Sequence, residues 1–120
     1  MDFQFTSEQD QLREKARAAI MQEIEPWAVE IFKKGDSRAL CSKKDVMERF
    51  GKLTQFGYAD GLFPKELGGR GYDLVTYGML SEELSRTHMP ATFLDSQFLP
   101  LLIMDFGTEQ QKKTFLPDII

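Results

Sequence analysis

Apolar residues recur at three- and four-residue steps along most of this chain, and nowhere do they alternate. The first stripe is Leu12, Ala16, Ala19, Ile20, Ile24 and Trp27, interrupted only by Glu23, and it predicts an amphipathic helix facing a core. Thr6-Ser7-Glu8-Gln9 marks its start as a capping box: the Thr6 hydroxyl accepts from the Gln9 amide while the Gln9 side chain reaches back. Phe5 and Asp10 hold the staple positions, where Asp10 leaves the apolar pair incomplete. Pro26 lacks an amide donor and crowds the preceding turn. It predicts an interruption or kink before a short helix from Trp27 to Lys34, ended by Gly35.

Further punctuation divides the rest. A polar loop runs from Gly35 to about Ser42, which caps a second helix from Lys43 to about Gln55 with Val46, Phe50 and Leu53 on one face. Gly57 is a natural left-handed terminator. Tyr58 to Gly71 holds too many glycines for regular structure and reads as a long structured loop. Asp73 caps a third helix reaching Arg86, with Thr76, Met79, Leu80, Glu83 and Leu84 inward, and Thr87-His88-Met89-Pro90 breaks it. A fourth helix, from about Ala91 to Phe106, carries Phe93, Leu94, Phe98, Leu101, Leu102 and Phe106 and should bend at Pro100. Gly107 stops it; Thr108 caps a last short helix that Pro117 ends. With no internal repeat, the pattern predicts an all-α bundle of five to six helices.

Composition narrows the class. The 120 residues, 42% hydrophobic with ten phenylalanines and 28% charged, suit one globular domain spanning 1–120. Leu99 to Met104 is the longest membrane candidate, far short of the roughly 20 apolar residues a span needs. Net charge is -4 with the basic residues scattered, which excludes a nucleic-acid surface built on clustered Lys and Arg. The single cysteine, Cys41, fits a reducing compartment, and with neither a secretory nor a transit signal the expectation is cytoplasmic.

Few residues invite chemistry. Gly68-Gly69-Arg70-Gly71 lacks the preceding strand and the spacing of a dinucleotide loop, and no Walker lysine follows, so a tight turn explains it better. Glu82 and Glu83 are adjacent on a helix and diverge by about 100°, so they cannot serve one bond; Glu83 is expected to be paired inside the bundle. His88 and Cys41 are too few for a metal set. The fourth helix, apolar on more than one face, would ordinarily be deeply buried.

The run from Gly61-Leu62-Phe63-Pro64 to Gly71, the helix with Ser81-Glu82-Glu83-Leu84, the Thr6 start and Phe106-Gly107-Thr108-Glu109-Gln110-Gln111-Lys112-Lys113 together resemble one family. They are similar to the N-terminal helical domain of the flavin-dependent acyl-CoA dehydrogenases, from Met1 to about Leu116. The resemblance implies a longer parent with a middle β-domain and a C-terminal helical domain, which supplies the catalytic glutamate. No catalytic residue is therefore expected here. It implies FAD held mainly by the other domains and an acyl-CoA substrate losing a proton α and a hydride β to its thioester carbonyl. It also implies electrons leaving through an electron-transfer flavoprotein, and a homo-oligomer, dimer or tetramer. The fourth helix would wall the acyl cavity, with Leu94, Gln97, Phe98 and Leu101 as chain-length determinants. The apolar end at Ile119-Ile120 is expected to mark a truncation that leaves hydrophobic surface open. Two alternatives remain at this point: a helical self-association module without catalysis, or the same domain of a flavin monooxygenase or nitroalkane oxidase.

Overall fold

The computed structural model describes residues 4–35, 43–89 and 97–119, without the side chains of Lys43, Val46, Asp118 and Ile119. All regular elements among them are helical: α1 (Ser7–Ala19), α2 (Glu25–Lys34), α3 (Lys43–Leu53), α4 (Leu74–Ser85), α5 (Phe98–Phe106) and α6 (Glu109–Ile119). The bundle is all-α, as the pattern predicts. The Ser42 cap, the Val46 side chain and the 36–42 loop fall outside the described residues.

The predicted break at Pro26 does not occur. A π-helical turn, Ile20–Ile24, joins α1 directly to α2, and the Glu25 N–H donates to the Ile20 carbonyl five residues back. Pro26 then stands in the first turn of α2, where a missing N–H costs least. From the neighbouring α3, Arg49 Nη1 donates to the Glu23 carbonyl at 3.2 Å, and the Lys52 ammonium pairs with the Glu23 side chain. Both groups brace the turn.

Two further prolines depart from expectation. Pro100 is the third residue of α5 as described, so it sits in a first turn and bends nothing. Pro117 lies inside α6, which runs on to Ile119 rather than ending there. Pro117 is exposed, so water can serve the carbonyl that its missing donor leaves over.

The core gathers Ala16, Ile20, Ile24, Leu53, Tyr58, Met79, Leu80, Leu84 and Met89, flanked by Phe5, Leu12, Trp27, Phe50 and Tyr72. Helix starts follow the sequence closely. Thr6 Oγ1 accepts from the Gln9 N–H at 3.2 Å, Gln9 Oε1 from the Thr6 N–H at 2.9 Å, and Asp73 Oδ1 from the Thr76 N–H at 2.7 Å. Thr108 and Gln111 repeat the reciprocal pair before α6, at 3.3 and 2.9 Å. A short 3₁₀ turn, Thr54–Phe56, extends α3 to Gly57, which takes the left-handed φ of +93°.

The molecule is a slab of 46 × 38 × 21 Å, its thickness near two helix diameters. Its radius of gyration, 15.6 Å, exceeds the roughly 14 Å of a close-packed domain this long. The α5–α6 hairpin contributes to that spread, with an open groove between it and the Pro64–Leu67 turn.

Candidate functional site

The strongest electrostatic feature joins α1 to α4. Glu83 is 3% exposed, yet its carboxylate accepts from Arg13 Nε at 2.6 Å and from Arg17 Nε and Nη2 at 2.7 and 2.6 Å. Hydrogen bonding from Arg17, then from Arg13, outweighs burial and holds the carboxyl at about 2, well below its ordinary 4.5. The Arg13 guanidinium also lies 5.5 Å above the Phe5 ring. Gln9 Nε2 donates to Thr76 Oγ1 at 2.9 Å, a second bond between the same helices. With both arginines committed to one carboxylate, Glu83 fastens helices and has no lone pair aimed at a substrate. Glu82 points elsewhere and pairs with Arg86, which confirms that the two glutamates do not act together.

Of the expected wall residues, Leu94 lies outside the described residues. Gln97 is 2% exposed and turned inward, its Nε2 donating to the Tyr58 carbonyl at 2.5 Å. Phe98 is 69% exposed and Leu101 half-buried. The structure therefore separates them: Gln97 anchors the start of α5, while Phe98 stands on its open side. That open side continues through Leu102 and Phe106 at four-residue steps, with Phe106 at 82% exposure. On α6, Phe115 meets Leu102 and Phe106 across a shallow groove. An apolar helix would ordinarily be buried, but among the described residues nothing covers this face of α5.

A larger groove of about 650 Å³ opens between the Pro64–Leu67 turn and the α5–α6 hairpin. Pro64, Leu67, Met104, Leu116 and Pro117 form its apolar lining, and Glu66, Glu109, Lys112 and Lys113 add charge. Sequence reasoning missed it, because its walls come from segments some fifty residues apart with no shared motif. The exposed Leu67 beside a proline was the available hint.

The glycine-rich turn is structural. Gly68, Gly69 and Gly71 donate their N–H groups to the carbonyls of Lys65, Pro64 and Phe63, at 3.0, 3.0 and 2.8 Å. A Cβ on Gly69 would stand 2.2 Å from the Phe63 carbonyl oxygen, so the approach requires glycine. Arg70 closes the loop through Asp60 Oδ1 at 3.0 Å and the Thr54 carbonyl at 3.1 Å. With those donors spent internally, the turn does not fit a flavin pyrophosphate. His88 likewise serves packing: its Nδ1 and N–H both meet the Glu25 carboxylate, at 2.7 and 3.0 Å, and its ring tilts against Phe32. No group of three or more His, Cys, Asp or Glu among the described residues is placed to hold a metal, and no described helix is long and apolar enough to cross a membrane.

Comparison with known proteins decides the lineage. The family model described as acyl-CoA dehydrogenase, N-terminal domain, matches residues 6–120. The chain belongs to the acyl-CoA dehydrogenase family. It is 34% identical over 119 residues to the short-chain specific acyl-CoA dehydrogenase of Clostridium acetobutylicum, covering 97% of this chain and 29% of that protein. It is 33% identical over 119 residues to the acryloyl-CoA reductase (NADH) of Anaerotignum propionicum, covering 98% of this chain and 28% of that protein. A chain in the solved structure of the electron transferring flavoprotein of Acidaminococcus fermentans superposes with a TM-score of 0.74 and 27% identity, covering 99% of this chain and 30% of that one. The sequence thus spans under a third of the length of these relatives.

Proposed function

We propose that this chain is the N-terminal helical domain of an acyl-CoA dehydrogenase-type enzyme and walls its acyl-chain cavity. The observation that carries the reading is the open apolar face of α5, in a chain whose match is to one domain of longer proteins. Such a face needs a lid, and an acyl chain between two apolar surfaces exchanges water for methylene contact at about 0.8 kcal/mol per buried CH₂. Phe98, Leu101 and Leu94 are the proposed wall, with Gln97 setting where α5 begins.

The whole-protein activity belongs to the same proposal: α,β-dehydrogenation of an acyl-CoA thioester. The catalytic base, the middle β-domain and the C-terminal helical domain would lie outside these 120 residues. So would the flavin-holding groups, because the one glycine-rich turn here does not fit that cofactor. The electron-transfer flavoprotein partnership, the homo-oligomer and a cytoplasmic location are part of this reading and rest on the family. Because one relative is named a reductase, hydride flow in the opposite direction, toward an enoyl-CoA, is the second reading to test.

The test is turnover of the intact protein on a panel of acyl-CoA and enoyl-CoA thioesters of graded chain length. Activity with one panel sets the direction. Phe98→Ala should move the preference toward longer or bulkier acyl groups, with the change in KM rather than kcat. No turnover on either panel would overturn the enzyme reading. In that case the exposed α5 face would favour a self-association module, seen as concentration-dependent mass by sedimentation.

A further inference from the structure

Two polar atoms in the core are left without a hydrogen-bond partner among the described residues: Tyr77 Oη on α4 and Gln97 Oε1 at the start of α5. Buried polar atoms are nearly always satisfied, and leaving one unmade costs about 1–3 kcal/mol. The two are neighbours, since the Tyr77 hydroxyl lies beside the Gln97 and Ser81 side chains. Closing a direct bond between them would require moving the Gln97 amide, and that amide is held by its 2.5 Å bond to the Tyr58 carbonyl. Ser81 Oγ is committed as a donor to the Tyr77 carbonyl at 2.9 Å, which leaves its lone pairs free to accept.

We propose that Tyr77, Gln97 and Ser81 form a binding site for one internal water, which bridges α4 to the first turn of α5. The chemistry balances around a single molecule. The water accepts from the Tyr77 hydroxyl and donates one hydrogen to Gln97 Oε1 and the other to Ser81 Oγ. Three bonds to otherwise unmet groups is the usual count for a buried water. The site does not depend on the enzymatic reading. It concerns only how α5, and with it Phe98, is fixed relative to the core.

Two measurements on the purified protein test it. A high-resolution crystal structure should show an ordered oxygen within about 3 Å of both Tyr77 Oη and Gln97 Oε1. A direct Tyr77–Gln97 contact with no intervening density would overturn the proposal. Thermal unfolding of Tyr77→Phe gives an independent sign. With the water in place, the variant loses a bond and its midpoint falls by roughly 4–8 °C, the shift expected for one hydrogen bond in a domain of this size. Without the water, the variant removes an unsatisfied hydroxyl, so an unchanged or raised midpoint counts against the site.

Discussion

Glu83 shows how much one side chain can hold. Glu83→Gln would leave Arg13 and Arg17 without their countercharge. Breaking a fully buried pair costs about 3–5 kcal/mol, and because the Arg17 side chain is 46% exposed, about 2–3 kcal/mol is expected here. Chemical denaturation of the two proteins at pH 7 measures that difference. Acid provides a second check. The folded carboxyl sits at about 2 against an ordinary 4.5, so the unfolded chain takes up the proton first as pH falls. The stabilisation is whole above about 4.5 and is lost toward 2, and Glu83→Gln should lose less stability over that window. The inward set Thr76, Met79, Leu80, Glu83 and Leu84 was legible from its spacing, and all five are buried. The arginines were not, because they stand 70 and 66 residues away in sequence and no local pattern joins them to Glu83. Gln97 was read as part of a wall. A backbone carbonyl from Tyr58, invisible to side-chain patterning, turns it inward instead.

At the scale of elements, starts were more legible than interruptions. A capping box is a local contract between Thr6 and Gln9, and it forms as written. Thr6→Ala should cost about 1 kcal/mol by denaturant midpoint, and somewhat more if Gln9 also loses its bond to Thr76. Prolines misled because their effect depends on position within a turn, which is set by where the helix begins. Pro26 and Pro100 both fall in first turns. Glycines divide the same way. A Cβ on Gly78 in α4 meets nothing within 4 Å, so Gly78→Ala should stabilise by about 0.5–1 kcal/mol. Gly57→Ala should destabilise by more than that, since the new methyl would stand 2.5 Å from the Tyr72 ring at a left-handed φ. Paired thermal melts of these two variants, with opposite signs, check the argument.

For the whole molecule, the question is what an uncovered face does in water. Phe98, Leu102 and Phe106 are 69%, 47% and 82% exposed on one side of α5, so replacing Phe106 removes little packing. Phe106→Ser should change stability by no more than about 0.5 kcal/mol while lowering dye binding and retention on a hydrophobic column. A large loss of stability would mean that the face is buried in solution. Periodicity announced that α5 was apolar, but it could not say that its partners lie outside the described residues. The 650 Å³ groove was illegible for a related reason: it is a relation between the hairpin and a distant turn rather than a property of either.

The π-helical turn has a consequence for chain length. Ala16, Ile20, Ile24 and Ala28 are all buried at intervals of four. On a regular helix each such step overshoots a full turn by about 40°, and three would carry the stripe about 120° around the rod. The wider ring between Ile20 and Glu25 takes up surplus chain and keeps the stripe aimed at the core. Met21 and Gln22 are exposed there, and any residue type should be accepted at either place. Deleting one of them removes no buried atom, yet it rotates everything beyond by about 100° and swings Ile24 and Ala28 toward solvent. In this stretch a codon's presence matters more than its meaning.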